Sequence, residues 1–265
     1  MPTRTRNHNG YLLRWDGEAV LFDPGEGTQR QMTLAGVSPS TLTAICITHA
    51  HGDHCLGLPG VLQRLSLENV DRPIPVVFPS GAEDYIDRLR HASAHLDRLD
   101  VVTYPVAEDG PVLTLGDLTL EAAALHHSLP TYGYRLVEPD GRRMLPDRLT
   151  AFGVEGPDVG RLRREGTLRT ARGTVHLDDV SRSRPGQRFA FVMDTAPCAG
   201  ASALAQGADL LVSEATFLHR DVDLAEAYLH MTARQAAELA SAAGARRLVL
   251  THFSQRYEHL GAHLE

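Results

Sequence analysis

Short apolar runs recur along the chain, and the period of each predicts its element. Alternation predicts paired strands over Tyr11–Trp15 and Ala19–Phe22 around the turn Asp16-Gly17, and a β-rich run, Leu42–Thr48, that ends abruptly in histidines. Further strands are predicted at Pro75–Phe78, Val101–Tyr104, Val112–Leu115, Leu118–Ala123, Phe189–Met193, Leu210–Ser213 and Arg247–Leu250. Helical spacing marks Gly57–Leu67, Glu83–His95, Ala201–Gln206 and Thr232–Ala243. Hairpins such as Val112–Ala123 stand beside strand–helix units, so the expectation is an α/β fold with two mixed sheets and helices outside.

The pattern breaks once. Between Gly141 and Arg188 neither period is sustained, glycine and proline recur, and eleven arginines face six acidic residues. This stretch is net positive inside a protein of net charge −7 whose 26 basic residues are all arginine. By itself it reads as a solvated, floppy insertion in the main fold.

Length and composition narrow the class. The 265 residues are 43% apolar, enough for the buried core of one large domain. No run of eighteen apolar residues exists and the segment after Met1 has no apolar stretch, so neither a membrane span nor a secretory leader is expected. Cys46, Cys55 and Cys198 form no C-x-x-C pair, which fits a reducing, cytoplasmic setting.

The fourteen histidines are less ordinary. Thr48-His49-Ala50-His51-Gly52-Asp53-His54 places three imidazoles and a carboxylate directly after an apolar strand. Neutral imidazole and carboxylate are ligands for zinc or a similar divalent ion. Later strands end in further candidates: His126-His127 after Leu118–Leu125, Asp194 after Phe189–Met193, and His252 after Arg247–Thr251. Together they form two sets of three or four ligands, with Asp194 able to bridge two ions. Asp87, His91 and His95 also fall at helical spacing, but nothing converges on them and a solvated face is expected. Cys55 reads as a packed thiol, and His259 and His263 as exposed residues.

The motif His49-x-His51-x-Asp53-His54, with the later His, Asp and His, resembles the metallo-β-lactamase superfamily, whose fold is an αββα sandwich with a two-metal site along one edge. Finer motifs are similar to the ribonuclease Z family, endonucleases that trim the 3′ end of precursor tRNA. These are Pro2-Thr3-Arg4-Thr5-Arg6-Asn7, Phe22-Asp23-Pro24-Gly25-Glu26-Gly27-Thr28-Gln29-Arg30-Gln31, Gly133-Tyr134-Arg135, Glu214-Ala215-Thr216-Phe217, His230-Met231-Thr232-Ala233 and Leu250-Thr251-His252-Phe253-Ser254.

The resemblance implies one metallo-β-lactamase-like domain over 1–265, with 141–188 as a protruding arm. It implies two Zn2+ per chain: His49, His51 and His127 on one, Asp53, His54 and His252 on the other, Asp194 between them, and Asp23 beneath as an acceptor for a ligand histidine. Hydroxide would attack a phosphodiester with Asp53 orienting it, while His230, held by Glu214, serves the leaving 3′ oxygen. Arg142, Arg143, Arg148, Arg161, Arg163 and Arg164 would grip tRNA, and the protein would act as a cytoplasmic homodimer. Two departures stand out. The chain opens at the loop after the family's first strand, so either the start is misplaced or that strand is absent. Ser213 replaces a histidine, removing one imidazole expected near the scissile phosphate. The competing expectations are another hydrolase of the same fold, acting on a small phosphodiester, sulfate ester, lactone or thioester, and a non-catalytic tRNA-binding dimer partner.

Overall fold

The computed structural model describes residues 2–95 and 97–263. It divides into two compact units, Met1–Val137 with Arg188–Glu265, and Glu138–Gln187.

The larger unit holds two mixed sheets. In the first, Tyr11–Trp15 pairs antiparallel with Glu18–Phe22, and Ala44–Cys46, Ile74–Pro79 and Val101–Val106 follow in parallel. In the second, Leu248–Thr251, Leu210–Glu214 and Arg188–Val192 run parallel, then Tyr132–Val137, Leu118–Ala124 and Gly110–Leu115 continue antiparallel.

The two-residue period of the strands creates the layers. Leu21, Ile45, Val76 and Phe78 pack outward against Leu58, Val61, Leu62 and Leu65 of the helix Leu58–Leu67. Their neighbours Phe22, Cys46 and Val77 face inward onto Leu120, Tyr134, Phe189 and Phe191 of the second sheet. Ala190 and Val192 then point out of the second sheet, against Ala201 and Leu204 of the helix Ala199–Ala205. The result is an αββα sandwich. Phe22 lies at its centre, its ring stacked on Phe191 with centroids 4.7 Å apart.

Several elements differ from expectation for local reasons. Within Leu42–Thr48 only Ala44–Cys46 is a strand, because Thr48 N–H leaves the ladder and donates to the Asp23 carboxylate. The helix expected over Glu83–His95 stops at Arg90, with His91 as its C-cap. The His91 N–H donates to the Asp87 carbonyl and the Ala92 N–H to the Leu89 carbonyl, and exposed Ala92, Ser93 and Ala94 bury nothing that would draw a further turn onto the core. His91 pairs with exposed Asp87 at 3.3 Å, and His95 lies beyond the helix. An unexpected helix, Thr28–Leu34, arises inside the motif that begins at Phe22. His259 is exposed, but His263 is buried against the rings of Phe253 and Tyr257 rather than exposed.

The smaller unit is more ordered than its sequence implies. Gly141–Met144 pairs antiparallel with Ser181–Arg184, and Thr167–Thr170 with Gly173–His176. The helices Pro146–Phe152 and Pro157–Glu165 each end on a glycine with positive φ, Gly153 and Gly166. Leu149, Val154, Leu162, Leu168, Val175 and Val180 form a small core of its own. Its arginines divide into two kinds. Arg142 bonds Asp178 and Ser181, Arg148 donates to the Asp179 carbonyl and Arg161 pairs with Glu165. Among the described residues, the side chains of exposed Arg143, Arg163 and Arg164 make no hydrogen bond or ion pair.

Candidate metal centre

Each residue of the centre comes from a strand end or the turn after it. The chain leaves Ala44–Cys46 into His49, His51 and the short helix Gly52–Cys55, which carries Asp53 and His54. His127 follows Leu118–Ala124, Asp194 follows Arg188–Val192, and His252 follows Leu248–Thr251. Asp23, Asp194 and His252 have positive φ (46°, 40° and 58°), so the backbone turns sharply as it leaves the sheet. Close approach also demands glycine: a Cβ on Gly25 would lie 2.2 Å from the Asp53 carbonyl oxygen.

Side chains and carbonyls then fix the imidazoles. His54 Nδ1–H donates to Asp23 Oδ2 at 2.8 Å, and Asp23 also accepts from Thr48 N–H and Thr48 Oγ1. His49 Nδ1–H donates to Thr48 Oγ1 at 3.0 Å, and His127 Nδ1–H to the Leu229 carbonyl at 3.1 Å. His252 Nδ1–H donates to Thr216 Oγ1 at 2.8 Å. Four rings thereby commit their Nδ1 protons outward and turn Nε2 inward, where the neutral form needed for metal binding presents a lone pair.

Those lone pairs face one another. His54 Nε2 and His252 Nε2 are 3.3 Å apart, and each lies 3.6 Å from Asp53 Oδ2. Asp194 Oδ1 is 3.4 Å from the first and 3.2 Å from the second. In the other set His51 Nδ1 is 2.8 Å from His49 Nε2 and 3.4 Å from His127 Nε2, with Asp194 Oδ2 3.6 and 3.9 Å from those two Nε2 atoms. An ion held tetrahedrally at about 2.0–2.1 Å spaces its ligand atoms about 3.3–3.4 Å apart. The Asp53, His54 and His252 set with Asp194, at 3.2–3.6 Å, lies close to this spacing, and the His49, His51 and His127 set with Asp194 spreads around it from 2.8 to 3.9 Å. Asp194 is 4% exposed, and its Oδ1 accepts no hydrogen bond among the described residues. A buried carboxylate oxygen with no donor, among lone pairs that would otherwise repel, fits a bound cation.

Charge within the cluster follows from burial and neighbours. Burial favours neutral Asp194, yet His252, His54 and His49 hold its carboxyl well below the usual range. Asp53 is likewise held well below that range by His252 and His54 against the effect of burial. Burial, reinforced by His54, pushes His49 well below an ordinary imidazole. Cys55 is pushed up to about 12 by burial and the nearby Asp23 and Asp53, so it stays a packed thiol.

A second layer ties His252 to His230. Glu214 is fully buried; its Oε1 accepts from Thr195 N–H at 2.6 Å and His230 Nδ1–H at 3.0 Å, and its Oε2 accepts from Thr216 N–H and Oγ1. Burial works against charging His230, but the Glu214 carboxylate outweighs it and raises His230 to about 9. Thr216 passes the hold of Glu214 on to His252. Although it stands in the motif Glu214-Ala215-Thr216-Phe217, nothing in the linear pattern marks it for this role. Thr216→Val should therefore weaken metal binding at the Asp53, His54 and His252 set by roughly 10- to 100-fold, while Thr216→Ser keeps it. Competition with a chromophoric chelator measures both.

The structure sorts the remaining expectations. His127 joins the cluster, whereas His126 is exposed and bonds through its backbone to Thr195 and Ala196. Ser213 neighbours Glu214 on a strand, where alternation sends adjacent side chains to opposite faces. Two unforeseen residues are Asn9, whose Nδ2–H lies 3.0 Å from His54 Nε2, and Tyr11, whose hydroxyl bonds Asn9 and Thr251. The only signal for them was their nearness to the motif at Pro2–Asn7.

Comparison with known proteins agrees with this geometry. The model of the metallo-beta-lactamase superfamily matches residues 3–199, and that of the beta-lactamase superfamily domain matches 179–253. A ribonuclease Z of Streptomyces coelicolor is 57% identical over 97% of this chain and 84% of its own length. The chain belongs to the ribonuclease Z family. A second relative, the ribonuclease Z of Nocardia farcinica, is 55% identical over 99% of this chain and 87% of its own. The crystal structure of the short form of human tRNase Z superposes with a TM-score of 0.71 at 28% identity, covering 97% of this chain and 90% of that one. A diphosphatase of the PhnP family shares the fold at a TM-score of 0.62 and 19% identity, over 96% of this chain and 76% of its own. As a family member, the chain is a metal-dependent hydrolase with a divalent-metal centre. No helix among the described residues is long and apolar enough to cross a membrane.

Proposed function

We infer that this chain is a zinc-dependent endoribonuclease that removes the 3′ trailer of precursor tRNA. The observation that carries the reading is the pair of ligand sets meeting at buried Asp194, open to a cavity of about 650 Å3 that is also lined by His230. His49, His51, His127 and Asp194 would hold one ion, and Asp53, His54, His252 and Asp194 the other. When bound, two zinc ions would supply a hydroxide nucleophile near neutral pH and would neutralise charge on the phosphodiester.

The protein's own groups do the rest. Asp53, charged and half-buried on the cavity wall, orients the nucleophile. His230, protonated through its contact with Glu214, donates its Nε2 proton to the leaving 3′ oxygen of the mature tRNA end. Asp23 acts through His54, fixing its tautomer. Purified protein is expected to cut a labelled precursor tRNA at the trailer junction, lose the activity to a chelator and regain it with Zn2+. Intact precursor tRNA beside hydrolysis of a thioester, lactone or sulfate ester would overturn the reading.

The family resemblance further implies a cytoplasmic homodimer that grips the tRNA body through the unit Glu138–Gln187. Exposed Arg143, Arg163 and Arg164, whose side chains are free of internal partners among the described residues, support that role more directly than Arg142, Arg148 and Arg161. Replacing 142–183 by a short Gly/Ser linker should weaken precursor-tRNA binding and flatten its salt dependence, by roughly 0.9 in the log–log slope for each phosphate no longer neutralised. Metal content should stay at the parent's value. An unchanged slope would make this unit a bystander in binding.

A further inference from the structure

Beside His230 in the wall of the cavity lies an aromatic pair that the chemistry described so far does not use. Tyr228 ends the helix Val222–Tyr228 with 60% of its surface exposed, and it lines the cavity together with Phe217 and His230. Phe217 is buried; its ring lies nearly parallel to that of Tyr228, 13° apart with centroids at 6.4 Å. The Arg256 guanidinium sits 5.6 Å from the same Phe217 ring. The position of Tyr228 is set by its neighbours in the chain. Leu229 adopts a left-handed conformation (φ 57°), its carbonyl accepts from His127 Nδ1–H at 3.1 Å, and His230 Nδ1–H is held by Glu214. Residues 228–230 are thus fastened to the metal centre, and the tyrosine ring is carried at a defined place beside it.

A large apolar ring left in water at the mouth of a charged cleft forgoes burial in the free protein. A flat, unpaired nucleobase would cover it, since stacking on an aromatic face accepts any base. We propose that Tyr228, backed by Phe217, is the stacking platform for the base of the nucleotide whose 3′ oxygen leaves. The proposal rests on the function inferred above, and the proximity to His230 chooses the nucleotide: the group that protonates the leaving oxygen and the ring that holds its base are two residues apart. Tyr228 is then a positioning residue. It orients the bond to be cut, and its hydroxyl is dispensable.

The test is a double-substitution cycle on the zinc-loaded enzyme. Precursor tRNA and the same RNA with an abasic nucleotide at the 5′ side of the cut are given to the parent and to Tyr228→Ala, Tyr228→Phe and Tyr228→Trp. With the ordinary substrate, Tyr228→Ala should lose roughly 10-fold in kcat/KM. The parent should lose about as much on the abasic RNA, and Tyr228→Ala should lose little more there. Phe and Trp should restore cleavage of the ordinary substrate, and zinc content should match the parent's throughout. Losses that multiply, or an alanine variant as active as the parent, would overturn the platform while leaving the nuclease reading intact. A parent that cuts neither RNA would instead overturn the nuclease reading.

Discussion

Asp194→Ala is expected to lower bound zinc from about two equivalents per chain to less than one and to bring precursor-tRNA cleavage to background. The two carboxylate oxygens of Asp194 face different ligand sets, so among the described residues it is the one whose loss is expected to open both. Its removal also leaves the imidazoles of His49, His51, His54, His127 and His252 without their central counter-charge. Elemental analysis after mild purification measures the metal, and circular dichroism confirms that the sandwich persists. A variant that keeps two equivalents would mean that Asp194 is not shared. His49→Ala is the useful comparison, because it touches one set and should spare the ion held by Asp53, His54 and His252.

His230→Ala should keep its zinc and lose roughly 10²- to 10⁴-fold in the rate of precursor-tRNA cleavage. The loss should shrink on an activated aryl phosphodiester, whose leaving group needs no proton. The pH profile carries an independent sign. A general acid works in its protonated form, so activity is present below its pKa and falls as pH rises through it. Glu214 raises His230 to about 9, and a divalent ion bound nearby would draw that value down, so the descending limb of kcat should lie at or below pH 9. That limb should vanish in His230→Ala. Equal losses on both substrates, with an unchanged limb, would make His230 structural.

The candidate ligands were legible along the chain because each stands at the polar end of an apolar run, where a strand must stop and its last side chains leave the core. The same runs predicted the two sheets. Their two-residue period was hidden in stretches such as Ile45–Cys46–Ile47, which are apolar throughout because both faces of each sheet are covered. The smaller unit was illegible for a related reason: its helices are seven and nine residues long, too short to display a period, and its core is only a few side chains.

Sequence alone marked which residues are candidate ligands and which apolar runs they follow, since residue type and the hydrophobic pattern are local properties; the family resemblance, not the pattern, assigned each of them to one of two sets. Only the tertiary structure decided which nitrogen of each imidazole faces inward, that His127 rather than His126 reaches the cluster, and that Thr216 joins Glu214 to His252. Those choices depend on hydrogen bonds, several of them between groups remote in sequence such as Asp23 to His54, Thr216 to His252 and His127 to Leu229, and on the left-handed turns at Asp23, Asp194 and His252. A linear pattern records what each residue is and how far along the chain it lies. Which face of a ring meets which acceptor is settled by the packing of two sheets whose strands are remote in sequence.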